Sequence, residues 1–396
     1  MSSTNNRFSV LIDHLTVDII TSVERFNSLK EEWGSLFNSC NNLNAFQTFF
    51  WNYVWWKHYG KGMQLSIFTV REHNNLVGIA PFMVKSRLGI QEIEPIGGEH
   101  HYNFALIMDN QRYDVAMAIA MKLAGCFPKG LIHIPYFAAD TISINVFMAA
   151  LNTYDWKETR WTRNISHYVS EGNGFSNYMA HKSKKSRATL KRKRARLEET
   201  GLVNLIHICL DDLTEKSVER IAQIQKQSWL ARRGQESLSS AFYKEVISSL
   251  AQNNHAEIFL YEQNGEDIAY ILNFYSGNIC YCLFLGFSET KAHLSPGQML
   301  MLENLQKVLD SGITVYDFLY GEAEYKRFWA NRTKYVCRAV CYRGYCASIA
   351  SWLPHRLHGT FSKYQTLKII LVKMRRFKTK IFQHLNFNPT KSDHNS

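Results

Sequence analysis

The chain has 396 residues, of which 46% are hydrophobic and 13% aromatic, and its formal net charge at pH 7 is +12. This length is sufficient for two domains with their own cores, and this composition excludes an extended disordered chain. Nine of the fifteen residues 182–196 are Lys or Arg, and residues 343–396 contain ten Lys or Arg against one acid. The rest of the chain is therefore net acidic.

The sequence carries no signal for export or membrane insertion. Its start, MSSTNNRFSVLIDHL, lacks a basic region followed by an apolar run, and no apolar stretch approaches ~18 residues. We therefore expect a cytoplasmic protein. Eight cysteines show no zinc-ribbon spacing, and Cys337, Ala339 and Cys341 alternate with their neighbours like one face of a strand. This pattern predicts core cysteines and no metal.

The first half is predicted to be mixed α/β. A strand ends at Ile20, and an amphipathic helix follows with Phe26, Leu29, Trp33, Leu36 and Phe37 at helical spacing. An aromatic helix, AFQTFFWNYVWWKHYG, and two strands around the turn REHNN come next. A turn at Gly97-Gly98, a short strand, a helix in RYDVAMAIAMKLAGCF and a strand in GLIHIPYF complete this half.

The second half repeats this order of elements. Two helices precede three strands, which are separated at Asn264-Gly265 and Ser276-Gly277-Asn278, and a helix with Ser295 as N-cap leads to the strand VYDFLYG. The segments IFTVREHNNLVGIAPFMV and IFLYEQNGEDIAYILNF also resemble each other. The repetition indicates a duplicated fold.

The basic segment 182–196 is predicted to form one helix between an N-cap at Ser183 and a stop at Gly201. Arg187, Lys191 and Arg194 share one face, and two leucines form a thin apolar seam. No helix-turn-helix or zinc finger accompanies it, so sequence-specific binding of nucleic acid is not expected. Two interpretations stay open: a solvated face, or a site for an anionic ligand such as carrier phosphates, a phosphorylated or lipid-linked acceptor, or tRNA.

The C-terminal tail contains a basic amphipathic pattern. Apolar residues at helical spacing in 367–382 are surrounded by Lys and Arg. Such a helix can lie on an anionic membrane surface or pack its apolar stripe onto the core.

The chain resembles the tandem GNAT acetyltransferase family that includes the CelD-like proteins, and more distantly the Fem-type aminoacyltransferases. The resemblance is carried by FSNYMAHKSKKSRATLKRKRARLEETG, QSWLARRG, GEDIAYILNF, HLSPGQMLMLENL and YDFLYGEAEYKRFWA, and more loosely by FQTFFWNYVWW, LVGIAPFMV and IGGEHHYNF. It implies two GNAT-like halves, 1–174 and 175–340, followed by a basic tail, 341–396. It also implies acyl-CoA, such as acetyl-CoA, as co-substrate.

The start of the helix after Ser295 is the candidate carrier site. GNAT enzymes usually carry a glycine-rich phosphate loop here, whereas this chain has only SPGQM. Free N–H groups and the helix dipole favour a phosphate, and a glycine permits close approach. The candidate residues are Ser295, Gly297, Gln298 and Met299; the alternative is an ordinary capped helix.

Candidate catalytic residues follow the last predicted strand of the second half. Asp317 lies near the strand end, Glu322 or Glu324 is a candidate base, and Tyr325 is a candidate proton donor to the leaving thiolate. Lys326 matches a lysine of Fem-type proteins that meets phosphate or developing charge. In the first half His101 is a candidate base beside the Gly97-Gly98 turn. Surface ion pairs, a capping acid and a turn histidine are the structural alternatives.

The sequence thus predicts a cytoplasmic N-acyltransferase, in peripheral contact with the inner membrane face if the tail binds lipid. We expect transfer from acyl-CoA to an amine acceptor, an amino sugar or metabolite of surface-polysaccharide biosynthesis, small or lipid-linked. The alternatives are Fem-like aminoacyl transfer from tRNA and a non-catalytic adaptor that binds membrane surfaces or nucleic acid.

Overall fold

The computed structural model describes residues 12–40, 43–87, 90–228 and 236–344. The predicted tail helix, Cys346 and residues 229–234 of the QSWLARRG motif lie outside these residues. Within them, none of the helices is both long and apolar enough to cross a membrane.

The first half contains seven strands and five helices among its described residues. The strands are β1 (Leu15–Ile20), β2 (Gln64–Glu72), β3 (Asn75–Arg87), β4 (Ile90–Pro95), β5 (Ile107–Met108), β6 (Gly130–Ala138) and β7 (Lys157–Ser170). The helices are α1 (Val23–Ser28), α2 (Lys30–Ser39), α3 (Phe49–Tyr59), α4 (Tyr113–Cys126) and α5 (Ile142–Thr153). The single helix predicted after Ile20 is two helices, because the chain turns at Leu29.

The second half has six strands and six helices in its described part. The helices are α6 (Gly174–Ala180), α7 (Lys184–Glu198), α8 (Glu215–Lys226), α9 (Ala241–Ala251), α10 (Pro296–Asp310) and α11 (Glu324–Trp329). The strands are β8 (Val203–Cys209), β9 (Ala256–Gln263), β10 (Glu266–Ser276), β11 (Ile279–Phe287), β12 (Val315–Tyr320) and β13 (Arg332–Arg343). The predicted order of two helices, three strands, a helix and a strand is confirmed in α8 to β12.

One continuous sheet joins both halves, in the order β1-β2-β3-β4-β6-β13-β7-β12-β11-β10-β9-β8, with β5 beside β3. In the first half the neighbours from β1 to β4 are antiparallel, and β4 and β6 are parallel. In the second half the neighbours from β8 to β11 are antiparallel, and β11 and β12 are parallel. The duplicated mixed α/β fold is thus present in the strand order.

The two halves exchange strands at the centre of the sheet. Strand β7 is the last strand of the first half, yet it pairs with β12 of the second half. Strand β13 is the last strand of the second half, yet it pairs with β6 of the first half, and β7 and β13 pair with each other along most of their length. The predicted boundary at residue 174 stays a prediction, but the backbone pairing crosses it.

Helices cover both faces of this sheet. On one face α1, α2, α3, α8 and α9 share one continuous apolar core that spans both halves. On the other face α4 and α5 cover the first half, and α6, α7, α10 and α11 cover the second. Cys337, Ala339 and Cys341 lie together in the core of the first half, which confirms the predicted strand face.

A buried ion pair crosses the exchanged strands. Lys334 Nζ of β13 lies 2.7 Å from Asp317 Oδ2 of β12, and Asp317 is 1% exposed. Ser166 of β7 donates its hydroxyl to Asp317 Oδ1 at 2.7 Å. Burial lowers the pKa of Lys334, but the attraction of Asp317 outweighs this effect and the pKa is raised. Lys334 therefore stays charged at neutral pH.

Replacing Lys334 with Met should destabilise the protein by about 3–5 kcal/mol, because Asp317 would remain buried without its counter-ion. Chemical denaturation monitored by circular dichroism measures this loss. Arg71→Met is the control, since it removes the more exposed pair between Arg71 and Glu32 and should cost about 1 kcal/mol or less. Equal losses in the two variants would contradict the structural role of the central pair.

Candidate active site

A cleft opens where strands β11 and β12 part. The two strands pair only from Ile279 to Tyr281 and from Val315 to Asp317, although β11 continues to Phe287. The resulting cleft has a volume of about 300 Å³. Its walls come from β11, α7, α10, α11 and the segment before α10, and its lining residues are Lys193, Leu285, Phe287, Ala292, Ser295, Gly297, Gln298, Glu324, Tyr325, Phe328 and Trp329.

Three of the four predicted carrier-binding residues line this cleft. Ser295, Gly297 and Gln298 face it, whereas Met299 is buried in the core of the second half. Ser295 occupies the N-cap position with a φ of 57°, and its side chain makes no capping hydrogen bond. The structure therefore brings the predicted helix start to the cleft without the predicted side-chain cap.

Gly297 is a glycine for a different reason from the one the sequence suggested. A Cβ atom at this position would lie 3.0 Å from Phe287 Cδ1 and 3.4 Å from Leu285 Cδ2. Its absence lets the start of α10 pack closely on β11. Pro296 has no N–H, and the N–H groups of Gln298 and Met299 already donate to Ser295 O. This helix start therefore offers fewer backbone donors than a glycine-rich loop.

The basic helix α7 reaches the cleft through a residue that the sequence analysis did not select. Lys193 Nζ donates to Gln298 Oε1 at the start of α10. Burial lowers the pKa of Lys193, and the nearby charge of Arg196 lowers it further. Lys193 lies three residues after Leu190 and four before Leu197, which form the buried seam of α7. This helical spacing is the sequence signal that could have identified Lys193.

The selected face of α7 makes contacts within the protein. Arg187 Nη1 donates to the carbonyls of Ala180 and Lys182, at 3.0 and 2.9 Å. Arg194 Nη2 lies 3.1 Å from Glu303 Oε1 of α10, and Lys191 is exposed. None of these three is among the residues that line the cleft. Their role in substrate binding stays a prediction.

The end of β12 is held in a strained bulge. Leu319 has a φ of 58°, a left-handed conformation that non-glycine residues rarely adopt. Asp317 Oδ1 accepts the Leu319 N–H at 2.8 Å, and Lys326 Nζ donates to the carbonyls of Leu319 and Tyr320, at 3.2 and 3.0 Å. Burial lowers the pKa of Lys326. Asp317 and Lys326 thus hold the bulge from its two sides.

Tyr325 and Glu322 occupy different positions around α11. Tyr325 lines the cleft, and burial raises the pKa of its phenol well above the ordinary value. Glu322 Oε2 accepts a hydrogen bond from Arg327 Nη1 at 3.0 Å and lies 3.5 Å from Nε2 of the buried His167. Glu324 is the carboxylate that lines the cleft.

His101 lies in the core and is not brought to the cleft. It is 0% exposed, and its ring contacts Phe46 and Phe104 edge-on. Burial lowers its pKa to about 3, so the ring is neutral at physiological pH. The adjacent His100 instead reaches the second half, where its Nε2 lies 2.9 Å from Glu236 Oε2.

The described residues contain no cluster of His, Cys, Asp and Glu side chains suited to a metal ion.

Comparison with known proteins identifies the part of the chain that contains the cleft. Residues 184–327 match the family model of the GNAT acetyltransferase domain. These residues form a GNAT domain. The domain contains all of the residues that line the cleft except Phe328 and Trp329, and the resemblance drawn from the sequence is confirmed for this half. The comparison with curated proteins found no match.

Solved structures share the fold over most of the chain. The crystal structure of FemX matches 82% of this chain and 96% of its own, with 12% identity and a TM-score of 0.59. L-PGS from Bacillus licheniformis matches 83% of this chain and 96% of its own, with 13% identity and a TM-score of 0.53. The C-terminal domain of a putative lysylphosphatidylglycerol synthetase from Agrobacterium fabrum matches 85% and 97%, with 10% identity and a TM-score of 0.54. At these identities the likeness establishes the fold.

The burial of His101 predicts how the stability of the protein depends on pH. Its pKa is about 3 in the folded state and about 6.5 in the unfolded chain, so the unfolded state binds the extra proton between these values. Its contribution to stability is complete above about pH 6.5 and decreases as the pH falls, by up to about 1.4 kcal/mol per unit.

We expect His101→Gln to flatten the decrease in unfolding free energy between pH 7 and pH 5. Denaturant titrations at several pH values measure the slope. His73→Asn, at an exposed turn with φ 47°, should leave the slope unchanged. An unaltered slope in His101→Gln would show that this ring is not the titrating group.

Proposed function

We propose that this protein is an N-acyltransferase that moves an acyl group from acyl-CoA to an amine acceptor. The observation that carries the proposal is the cleft beside β11, which lies almost entirely within the GNAT domain and is lined by the start of α10 and by Tyr325. The acyl thioester would lie along β11, with the phosphates of the carrier towards Lys193 and Gln298.

The proposed reaction is a direct transfer without a covalent enzyme intermediate. The lone pair of the deprotonated amine attacks the thioester carbonyl and forms a C–N bond and a tetrahedral oxyanion. The oxyanion collapses, the C–S bond breaks, and the thiolate takes a proton. The nitrogen loses its extra proton to a base, so the products are an amide and a thiol.

Tyr325 is the proposed proton donor to the thiolate because it lines the cleft. Burial raises its pKa, so the phenol is protonated at neutral pH. Glu324 is better placed than Glu322 to receive the proton of the amine, because Glu324 lines the cleft. Lys326 acts as a positioning residue through the bulge at Leu319.

The acceptor is proposed from the family resemblance. An amino sugar or another amine metabolite of surface-polysaccharide biosynthesis, small or lipid-linked, fits an N-acyltransferase of this kind. Such a reaction would take place in the cytoplasm or at the inner membrane face, where a basic tail would meet anionic lipid.

Fem-like aminoacyl transfer from tRNA is the second candidate. The similarity of the fold to FemX, with a TM-score of 0.59, favours it. Binding assays with acetyl-CoA and with aminoacyl-tRNA separate the two functions, since each requires its own carrier to bind.

Acetyl-CoA should raise the melting temperature of the protein, and Gln298→Asp should remove most of the shift. The added carboxylate would repel the carrier phosphates, while its position in the first turn of α10 favours the helix. At 100-fold excess over Kd, ligand binding stabilises a protein by about 2.7 kcal/mol. Differential scanning fluorimetry measures the shift.

Gln306→Asp makes the same chemical change on an exposed part of α10 and is the control. The shift induced by acetyl-CoA should be retained in this variant. A similar shift in Gln298→Asp and in the unmodified protein would remove the carrier assignment of the cleft.

Tyr325→Phe should lower kcat by about 10²-fold or more, because the leaving thiolate would lose its proton donor. The Kd for acetyl-CoA and the melting temperature should change little, since the ring is retained. Stopped-time assays of CoA release, with an amine acceptor in excess, measure the rate. Tyr335→Phe, which alters a 63% exposed tyrosine, is the control. Equal rates in both variants would exclude Tyr325 as the acid.

A further inference from the structure

Helix α7 carries two cationic stripes, one on each side of its buried seam. Leu190 and Leu197 form the seam and are 3% exposed. Residues three or four apart lie on the same side of a helix. Arg187, Lys191 and Arg194 therefore form one stripe, and Lys185, Arg192 and Arg196 form the other.

The first stripe is directed at groups of the protein. Arg187 donates to the carbonyls at the end of α6, and Arg194 pairs with Glu303. Arg187 and Arg194 thus already have partners, Lys191 is exposed, and none of the three lines the cleft.

The second stripe lies on the flank that borders the cleft. Lys193, between this stripe and the seam, lines the cleft and donates to Gln298 Oε1. Arg196 Nη1 donates to His293 O at 3.3 Å. His293 lies between Ala292 and Ser295, which both line the cleft. Arg192 Nη2 lies 3.4 Å from the Thr189 hydroxyl on the same flank. Glu324 is the opposing charge in the cleft lining.

A phosphate ligand in the cleft would require such cationic side chains. Most backbone N–H groups at the start of α10 are not available to a ligand. Pro296 has no N–H, and the N–H groups of Gln298 and Met299 donate to Ser295 O. A pyrophosphate in this cleft would therefore need donors from side chains. Since Gln298 accepts from Lys193 through Oε1, its amide nitrogen is left to donate towards the cleft.

We propose that Lys193 and Arg196, supported by Arg192 and Lys185, recognise the phosphate groups of the acyl carrier and replace the glycine-rich loop. The proposal rests on the proposed function and specifies its ligand as a thioester that carries a pyrophosphate and a sugar phosphate. The basic helix is then a specificity element for the carrier. Arg187, Lys191 and Arg194 are not part of it.

The test compares thioesters that differ only in their phosphates. Acetyl-CoA, its 3′-dephospho analogue and S-acetylpantetheine are titrated by calorimetry against the full chain and against the variant Lys193→Gln/Arg196→Gln. The control variant Lys184→Gln/Lys216→Gln removes two charges from exposed positions outside the cleft flank. Melting temperatures verify that all proteins are folded.

In the unmodified protein we expect the order acetyl-CoA, dephospho analogue, S-acetylpantetheine, from tightest to weakest. The Lys193/Arg196 variant should bind acetyl-CoA at least about tenfold more weakly, because charge-assisted hydrogen bonds to phosphate are lost. Its affinity for S-acetylpantetheine should match that of the unmodified protein. Lys193→Arg should retain tight binding, and added salt should reduce the difference between the proteins.

Two results would overturn the inference separately from the function. If acetyl-CoA binds the double variant and the control variant equally, the phosphates are recognised elsewhere and the acyltransferase proposal stands. If the double variant loses affinity for S-acetylpantetheine as well, the two residues shape the cleft and do not read phosphate. If the unmodified protein binds aminoacyl-tRNA and no acetyl-CoA, the proposed function itself fails.

Discussion

The exchange of β7 and β13 between the halves is the constraint on which the rest of the structure depends. Each strand is distant in the chain from one of its neighbours, and the two pair with each other at the centre of the sheet. The ion pair of Asp317 and Lys334 crosses these strands, and it provides the counter-ion for the buried carboxylate of Asp317. Neither half can complete its own sheet alone, so the halves form one cooperative unit.

This constraint also shapes the site. On one side, β12 pairs with β7. On the other side, its pairing with β11 ends at Asp317, just before the bulge at Leu319. The strain of that residue is offset by the hydrogen bond that the Leu319 N–H donates to Asp317 Oδ1 and by the one that Lys326 Nζ donates to Leu319 O. Asp317 and Lys326, two of the predicted catalytic residues, are thus both hydrogen-bonded to the backbone of the bulge. The residues that line the cleft belong to α7, α10 and α11, to β11 and to the segment before α10.

The duplication of the fold does not extend to the chemistry of the two halves. In the second half, the helix after the splayed strands begins beside Lys193. In the first half, Arg112 immediately precedes α4 and pairs with Glu72 at 3.1 Å and with Asp114 at 2.8 Å. A phosphate at the start of α4 would lie near the carboxylates of Glu72 and Asp114, and Arg112 already pairs with both of them. Electrostatics therefore favours the second half as the carrier site.

The sequence by itself determined the mixed α/β class, the repeated order of elements and the helix from Ser183, because hydrophobic period and capping residues are local signals. It also located the start of α10 and Tyr325. Only the tertiary structure decided that β7 and β13 change partners, that His101 and Asp317 are buried, and that Lys193 reaches the cleft while Lys191 does not. Periodicity shows which residues share a face of a helix or strand. It does not show what that face meets, because pairing between distant strands depends on contacts that no local pattern encodes.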